Sequence, residues 1–207
     1  MIKLMALSAL ALVTLGAVGA TGAQAGIFTA GSYPATITGS SAAAAHEFTT
    51  QLGVMKCAPT FHSKLEAAVV TMTVAPTYGT SCKIGENQVH VKNNGCDFAW
   101  HAGETGEMDE VGGSMDILCP DTKIDFEITS EPVCHLTVPA QMGLGSLLFT
   151  NNTEAEDVIL HFGLEGISYV LDNGCPVVGA FANGVYKGTS TLKADAEGGA
   201  ATYFRVD

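Results

Sequence analysis

The stretch Lys123-Ile124-Asp125-Phe126-Glu127-Ile128-Thr129 alternates without a break between charged or polar and apolar residues. A period of two puts successive side chains on opposite faces of an extended chain, so Ile124, Phe126 and Ile128 share one face. Lys123, Asp125 and Glu127 share the other. Such a strand belongs to an antiparallel sheet with one dry side and one wet side.

The same period recurs on both sides of it. Ser114 to Cys119 carries Met115, Ile117 and Cys119 on one face. Gln88 to Lys92 points Val89 and Val91 inward. It is followed by Asn93-Asn94-Gly95, residues that tolerate positive φ, and then by Cys96 to Trp100. This reads as the clearest hairpin in the chain, with Cys96, Phe98 and Trp100 on its inner face. Trp100, the single tryptophan, is expected to pack beside a disulfide.

Further strands are expected at 46–50 paired with 52–57 around Gln51, at 134–139, at 145–150 and at 185–194, with 201–206 closing the sheet. The runs 158–162 and 167–171 flank Gly163-Leu164-Glu165-Gly166 and read as a second hairpin. Pro34 marks an edge strand or a strand start, and Ser63 to Val70 allows a short helix. Roughly 11 to 14 short strands follow, the pattern of a sandwich or barrel. The fold class expected is all-β: an antiparallel sandwich or distorted barrel braced by disulfides. One domain over residues 26–207 is preferred. Pro120-Asp121 is the one place where a division into two lobes fits.

Residues 1–25 read as a signal peptide. Lys3 supplies a positive start, 4–20 is uncharged and apolar, and Ala23-Gln24-Ala25 offers small side chains to a signal peptidase. Cleavage there leaves Gly26 first, with no cysteine for a lipid anchor and no second apolar stretch to span a bilayer. The expected location is secreted, extracellular or in the cell envelope. The 207-residue chain has 9 Lys+Arg against 21 Asp+Glu, a net charge of −12. That charge repels phosphate backbones and anionic lipid, so nucleic acid and membrane surfaces are disfavoured as partners.

The six cysteines, Cys57, Cys82, Cys96, Cys119, Cys134 and Cys175, all lie beyond the leader. An even count in an exported chain points to disulfides. Sequence does not choose the connectivity. Sequential pairing, 57–82, 96–119 and 134–175, joins neighbouring β segments and is the expectation. Zinc is disfavoured, because there is no C-x-x-C and no H-x-x-x-H, and adjacent Cys134 and His135 point to opposite faces of a strand.

No catalytic motif is present. G-x-S-x-G is absent, oxidised cysteines are poor nucleophiles, and no histidine has a recognisable acidic partner. No cofactor signature occurs. Calcium has one weak lead: Glu104, Glu107, Asp109 and Glu110 gather hard oxygen ligands, though without EF-hand spacing, and a solvated loop is the preferred reading. Asn151-Asn152-Thr153 matches the N-glycosylation acceptor pattern.

Several runs taken together resemble a known group. They are Tyr33-Pro34-Ala35-Thr36-Ile37-Thr38-Gly39, His46-Glu47-Phe48-Thr49-Thr50 with Cys57, and Val74-Ala75-Pro76-Thr77-Tyr78 with Cys82. Asn94-Gly95-Cys96-Asp97-Phe98, Cys175-Pro176 and Gly184-Val185-Tyr186-Lys187-Gly188-Thr189 complete the set. The pattern is similar to uncharacterised exported, cysteine-containing β-rich proteins of soil actinobacteria. The resemblance implies a bacterial host and export, and carries no activity or site residues. Two functions stay open: a non-enzymatic binding, adhesive or envelope-associated module, and a secreted hydrolase with a site assembled from distant residues.

Overall fold

A computed structural model describes residues 25–42, 45–106 and 109–207. The proposed leader before Ala25, and Glu107 of the acidic loop, lie outside the described residues. Along the chain the strands are β1 (Phe28–Ala30), β2 (Ala35–Ser40), β3 (His46–Thr50), β4 (Gly53–Cys57), β5 (Thr60–Leu65) and β6 (Thr71–Thr77). Then come β7 (Lys83–Ile84), β8 (Asn87–Lys92), β9 (Asp97–Thr105), β10 (Glu110–Leu118), β11 (Ile124–Ile128) and β12 (Cys134–Val138). The last are β13 (Gln141–Asn152), β14 (Asp157–Leu171), β15 (Gly179–Ala196), β16 (Ala201–Thr202) and β17 (Phe204–Val206). The fold is all-β, and the strand pairs are antiparallel.

The pairing order closes on itself twice. One circuit runs β15-β2-β5-β6-β9-β10-β13-β14 and returns to β15. The other runs β14-β12-β11-β8-β7-β4-β3-β15 and returns to β14. The long strands β14 and β15 pair with each other along their length and are shared by both circuits. On its outer edge β15 gives Thr191–Ala196 to β2 and Val185–Lys187 to β3. β14 likewise gives Asp157–Phe162 to β13 and Val170–Leu171 to β12. Closure uses up the unpaired edges that an open sheet would present. The chain visits the circuits alternately, strand pair by strand pair, so both are interleaved on either side of Pro120.

Alternation fills the interior. Ile124, Phe126 and Ile128 of β11 are buried, as are Cys134, Leu136 and Val138 of β12. One continuous apolar cluster runs through both circuits. Trp100 is fully buried, with ring centroids 5.4 Å from Phe61, 5.9 Å from Phe162 and 6.3 Å from Phe149. It therefore packs in an aromatic cluster, where a place beside a disulfide was expected. Full burial of each such side chain is worth about 1.5–3 kcal/mol. The small β1–β17 sheet adds Phe28 and Phe204, both fully buried, with Phe28 edge-on to Phe149.

Three disulfides join Cys57–Cys82, Cys96–Cys119 and Cys134–Cys175, the sequential pairing. The first two sit one rung beyond a strand pair: Lys56 faces Lys83, and Asp97 faces Leu118. Each extends a ladder with a covalent rung.

Three local expectations are corrected, and a fourth, for Pro34, is met in one of its two forms. β8 and β9 are not partners: β8 lies between β7 and β11, and β9 between β6 and β10. Asn94 and Gly95 do take positive φ (52° and 78°), but the turn carries the chain from one circuit to the other. Its side chains tie outward, Asn93 to the Pro76 carbonyl and Asn94 Nδ2 to the Lys123 carbonyl at 2.9 Å. A turn residue fixes a local reversal of direction and leaves the choice of strand partner to packing. Gly163 to Gly166 is not a hairpin loop either. β14 runs straight through it, with Gly166 at φ 73° and register shifts between Leu164 and Ile167 and between Ile167 and Tyr169. Such bulges bend a strand, which suits one whose two halves serve different circuits. The helix allowed at 63–70 is absent: β5 ends at Leu65, and Val69 bridges Phe28. Pro34 immediately precedes β2, a strand start, but β2 is flanked on both sides by β5 and β15 and is not an edge.

Candidate functional site

Three histidine clusters carry the polar chemistry of the described residues, and register brings each one together.

The first is inside. His46 opens β3 on its buried face and is fully enclosed. Its Nδ1 lies 2.8 Å from the Tyr186 hydroxyl and its Nε2 lies 2.9 Å from Ser190 Oγ. Ser190 is buried as well. Both hydroxyls can donate or accept, so either neutral tautomer of the ring satisfies the two contacts. Burial pushes the ring down to about 4, against a smaller upward pull from a hydrogen bond to the Thr189 backbone. A cavity of about 40 Å³ adjoins it, bounded mainly by apolar side chains such as Phe48, Met55, Ile117 and Leu164. That is room for about one or two water molecules and no substrate.

The second is on the outer face of β6, β9 and β10. Thr71 and Ser114 both face His101 across the ladders. Thr71 Oγ1 is 2.9 Å from His101 Nδ1, and Asp116 Oδ2 is 2.9 Å from His101 Nε2. The Gly143 N–H donates to the other Asp116 oxygen at 2.6 Å. Burial alone pushes the Asp116 carboxyl up. The Gly143 hydrogen bond, the His101 hydrogen bond and the His101 charge outweigh it and hold Asp116 below its ordinary value. Hydroxyl, imidazole and carboxylate are thus in line, with the hydroxyl on Nδ1 and the carboxylate on Nε2. In the usual hydrolytic triad the nucleophile sits on Nε2. The two wider grooves, of about 740 and 390 Å³, lie elsewhere, the first beside Asp125 and His135 and the second beside Asn151 and Arg205.

The third is on the wet face of β8, β11 and β12. His90 and His135 both face Glu127, one from each neighbouring strand. His135 Nδ1 is 3.1 Å from Asp125 Oδ1, and Lys92 Nζ is 2.7 Å from Glu127 Oε2. The Lys92 hydrogen bond and charge hold Glu127 below its ordinary value.

Of the calcium candidates, Glu104 lies exposed one residue before the end of β9, Asp109 sits exposed in the turn and Glu110 begins β10, half-buried. Among the described residues these three carboxylates do not converge on a common point; the acidic group that does, Asp172, lies with Cys134 and Cys175. Those two sulfurs are bonded to each other, and Asp172 Oδ1 accepts from the His135 and Gly174 N–H groups, so that group caps a loop. The acceptor asparagine of the glycosylation pattern, Asn151, is engaged on both sides of its amide by the Val206 backbone.

The alternation in Lys123–Thr129 showed that Asp125 and Glu127 face solvent. Which histidines stand opposite them depends on strand order, and no local signal in the sequence carries that. Comparison of the chain with protein-family models, with curated proteins and with solved structures finds no match.

Proposed function

We propose that this protein is an exported, non-enzymatic β module with a binding or structural role in the extracellular space or cell envelope of a bacterium. Three disulfides support the oxidising compartment, since such bonds persist outside the cytoplasm. The observation that carries the reading is the placement of His101 and Asp116. His101 stands half-exposed on an outer sheet face, with Asp116 buried behind it in the strand ladder, while the enclosed histidine, His46, borders a space too small for a substrate. Enzyme sites are concave and exclude water around the reacting groups.

A secreted hydrolase is the second reading, and the Thr71–His101–Asp116 line favours it. Against it, the Gly143 N–H serves Asp116, on the far side of His101 from Thr71, and is not placed to hold an oxyanion formed at Thr71. One experiment separates the two. The purified protein is incubated with chromogenic ester, peptide and glycoside substrates beside Thr71→Ala and His101→Ala. Turnover equal to that of the variants and of buffer supports the module. Turnover lost in both variants establishes the hydrolase.

A further inference from the structure

We propose that the wet face of β8, β11 and β12 binds a divalent transition-metal ion of the zinc or nickel class through His90, Glu127 and His135, with Asp125 orienting His135. The inference stands apart from the proposed function, because a metal here suits a structural module and an enzyme alike.

Register makes the ligand row. Glu127 faces His90 on one side and His135 on the other, so imidazole, carboxylate and imidazole stand on one rung. The period-two pattern points all three outward, where an ion can enter: His90 is exposed, and Glu127 and His135 are half-exposed. An ion above Glu127 is roughly 4.8 Å from each flanking strand, within reach of an imidazole arm plus a Zn–N bond of about 2.0–2.1 Å. Two imidazoles and one carboxylate are a donor set suited to zinc, nickel or copper and poorly suited to calcium.

A second, independent observation points the same way. Asp125 Oδ1 holds His135 Nδ1 at 3.1 Å, which leaves Nε2 of that ring as the free donor. A carboxylate on the far nitrogen is how metal-bound histidines are commonly fixed in tautomer and direction. Among the described residues the ligand atoms of His90, Glu127 and His135 do not yet converge on one point, and His90, which has no hydrogen bond to its ring there, is the arm that must swing to close the set. Glu127 gives only Oε2 to Lys92, and its Oε1 is uncommitted by that pair. Lys92 is therefore a built-in competitor, a cation occupying the place of the metal. The strongly acidic chain favours cation capture over its surface as a whole.

Isothermal titration of ZnCl₂ and of NiCl₂ into the purified, untagged protein is the test. One-site binding is expected, weakened at least tenfold in His90→Ala and in His135→Ala. Asp125→Asn weakens it less, Lys92→Met tightens it, and His161→Ala on another face leaves it unchanged. Ni²⁺ broadening of the His90 and His135 ring protons in the native protein reads the same site without mutation. Absence of one-site binding, or equal binding by His90→Ala and His135→Ala with unbroadened rings, overturns the proposal.

Discussion

Gly188 of β15 lies flat against the His46 ring, so close that a Cβ at position 188 would overlap it. The ring cannot yield, because Tyr186 and Ser190, on either side of Gly188 in the same strand, hold its two nitrogens. Gly188→Ala is expected to lower stability by about 1–3 kcal/mol, the range for overpacking a filled core. Urea denaturation checks this, with Gly198→Ala as a poor comparison because its positive φ adds strain, and Gly112→Ala as the proper one, since open space lies around it.

His46 also gives stability a dependence on pH. Its folded value is down at about 4 from 6.5, so the unfolded chain binds the proton more readily. Stability is fully present above about 6.5 and falls as the pH drops toward 4, by roughly 3 kcal/mol. His46→Gln removes the titration. Its denaturation midpoint should vary less than that of the native protein between pH 7 and pH 4.

Asp116 joins β10 to the start of β13 through the Gly143 N–H. Hydrogen bonds to a charged group contribute about 1.5–3 kcal/mol, so Asp116→Ala should lose that much and Asp116→Asn less. Because the folded carboxyl is held below its ordinary value, this contribution is present above the unfolded carboxylate value and is lost as pH falls through the folded one. Thermal melts of the three proteins at pH 7 and pH 3 test both statements, with the differences shrinking at pH 3.

The Cys96–Cys119 bond closes the base of the β9–β10 hairpin across 23 residues. Replacing both cysteines with alanine should cost about 2–4 kcal/mol. The denaturation midpoint reads the loss, and peptide mapping without reductant should return the three sequential links from the native protein.

Local pattern alone determined the class of this fold. Period-two runs such as Ser114–Cys119 and Lys123–Thr129 can bury one face only as strands, and the even cysteine count pointed to disulfides, whose sequential pairing the structure supplies. Tertiary structure decided which strand lies beside which. Asn93-Asn94-Gly95 turns the chain equally well into a hairpin or into the other circuit, and Gly163–Gly166 serves equally as a loop or as a bulge in β14. Both choices rest on which distant strands become neighbours, a non-local quantity. The histidine clusters follow from the same choice, since His90, Glu127 and His135 meet only because β8, β11 and β12 are neighbours. A sequence sets what each face of a strand presents, whereas the summed packing of distant segments sets what that face meets.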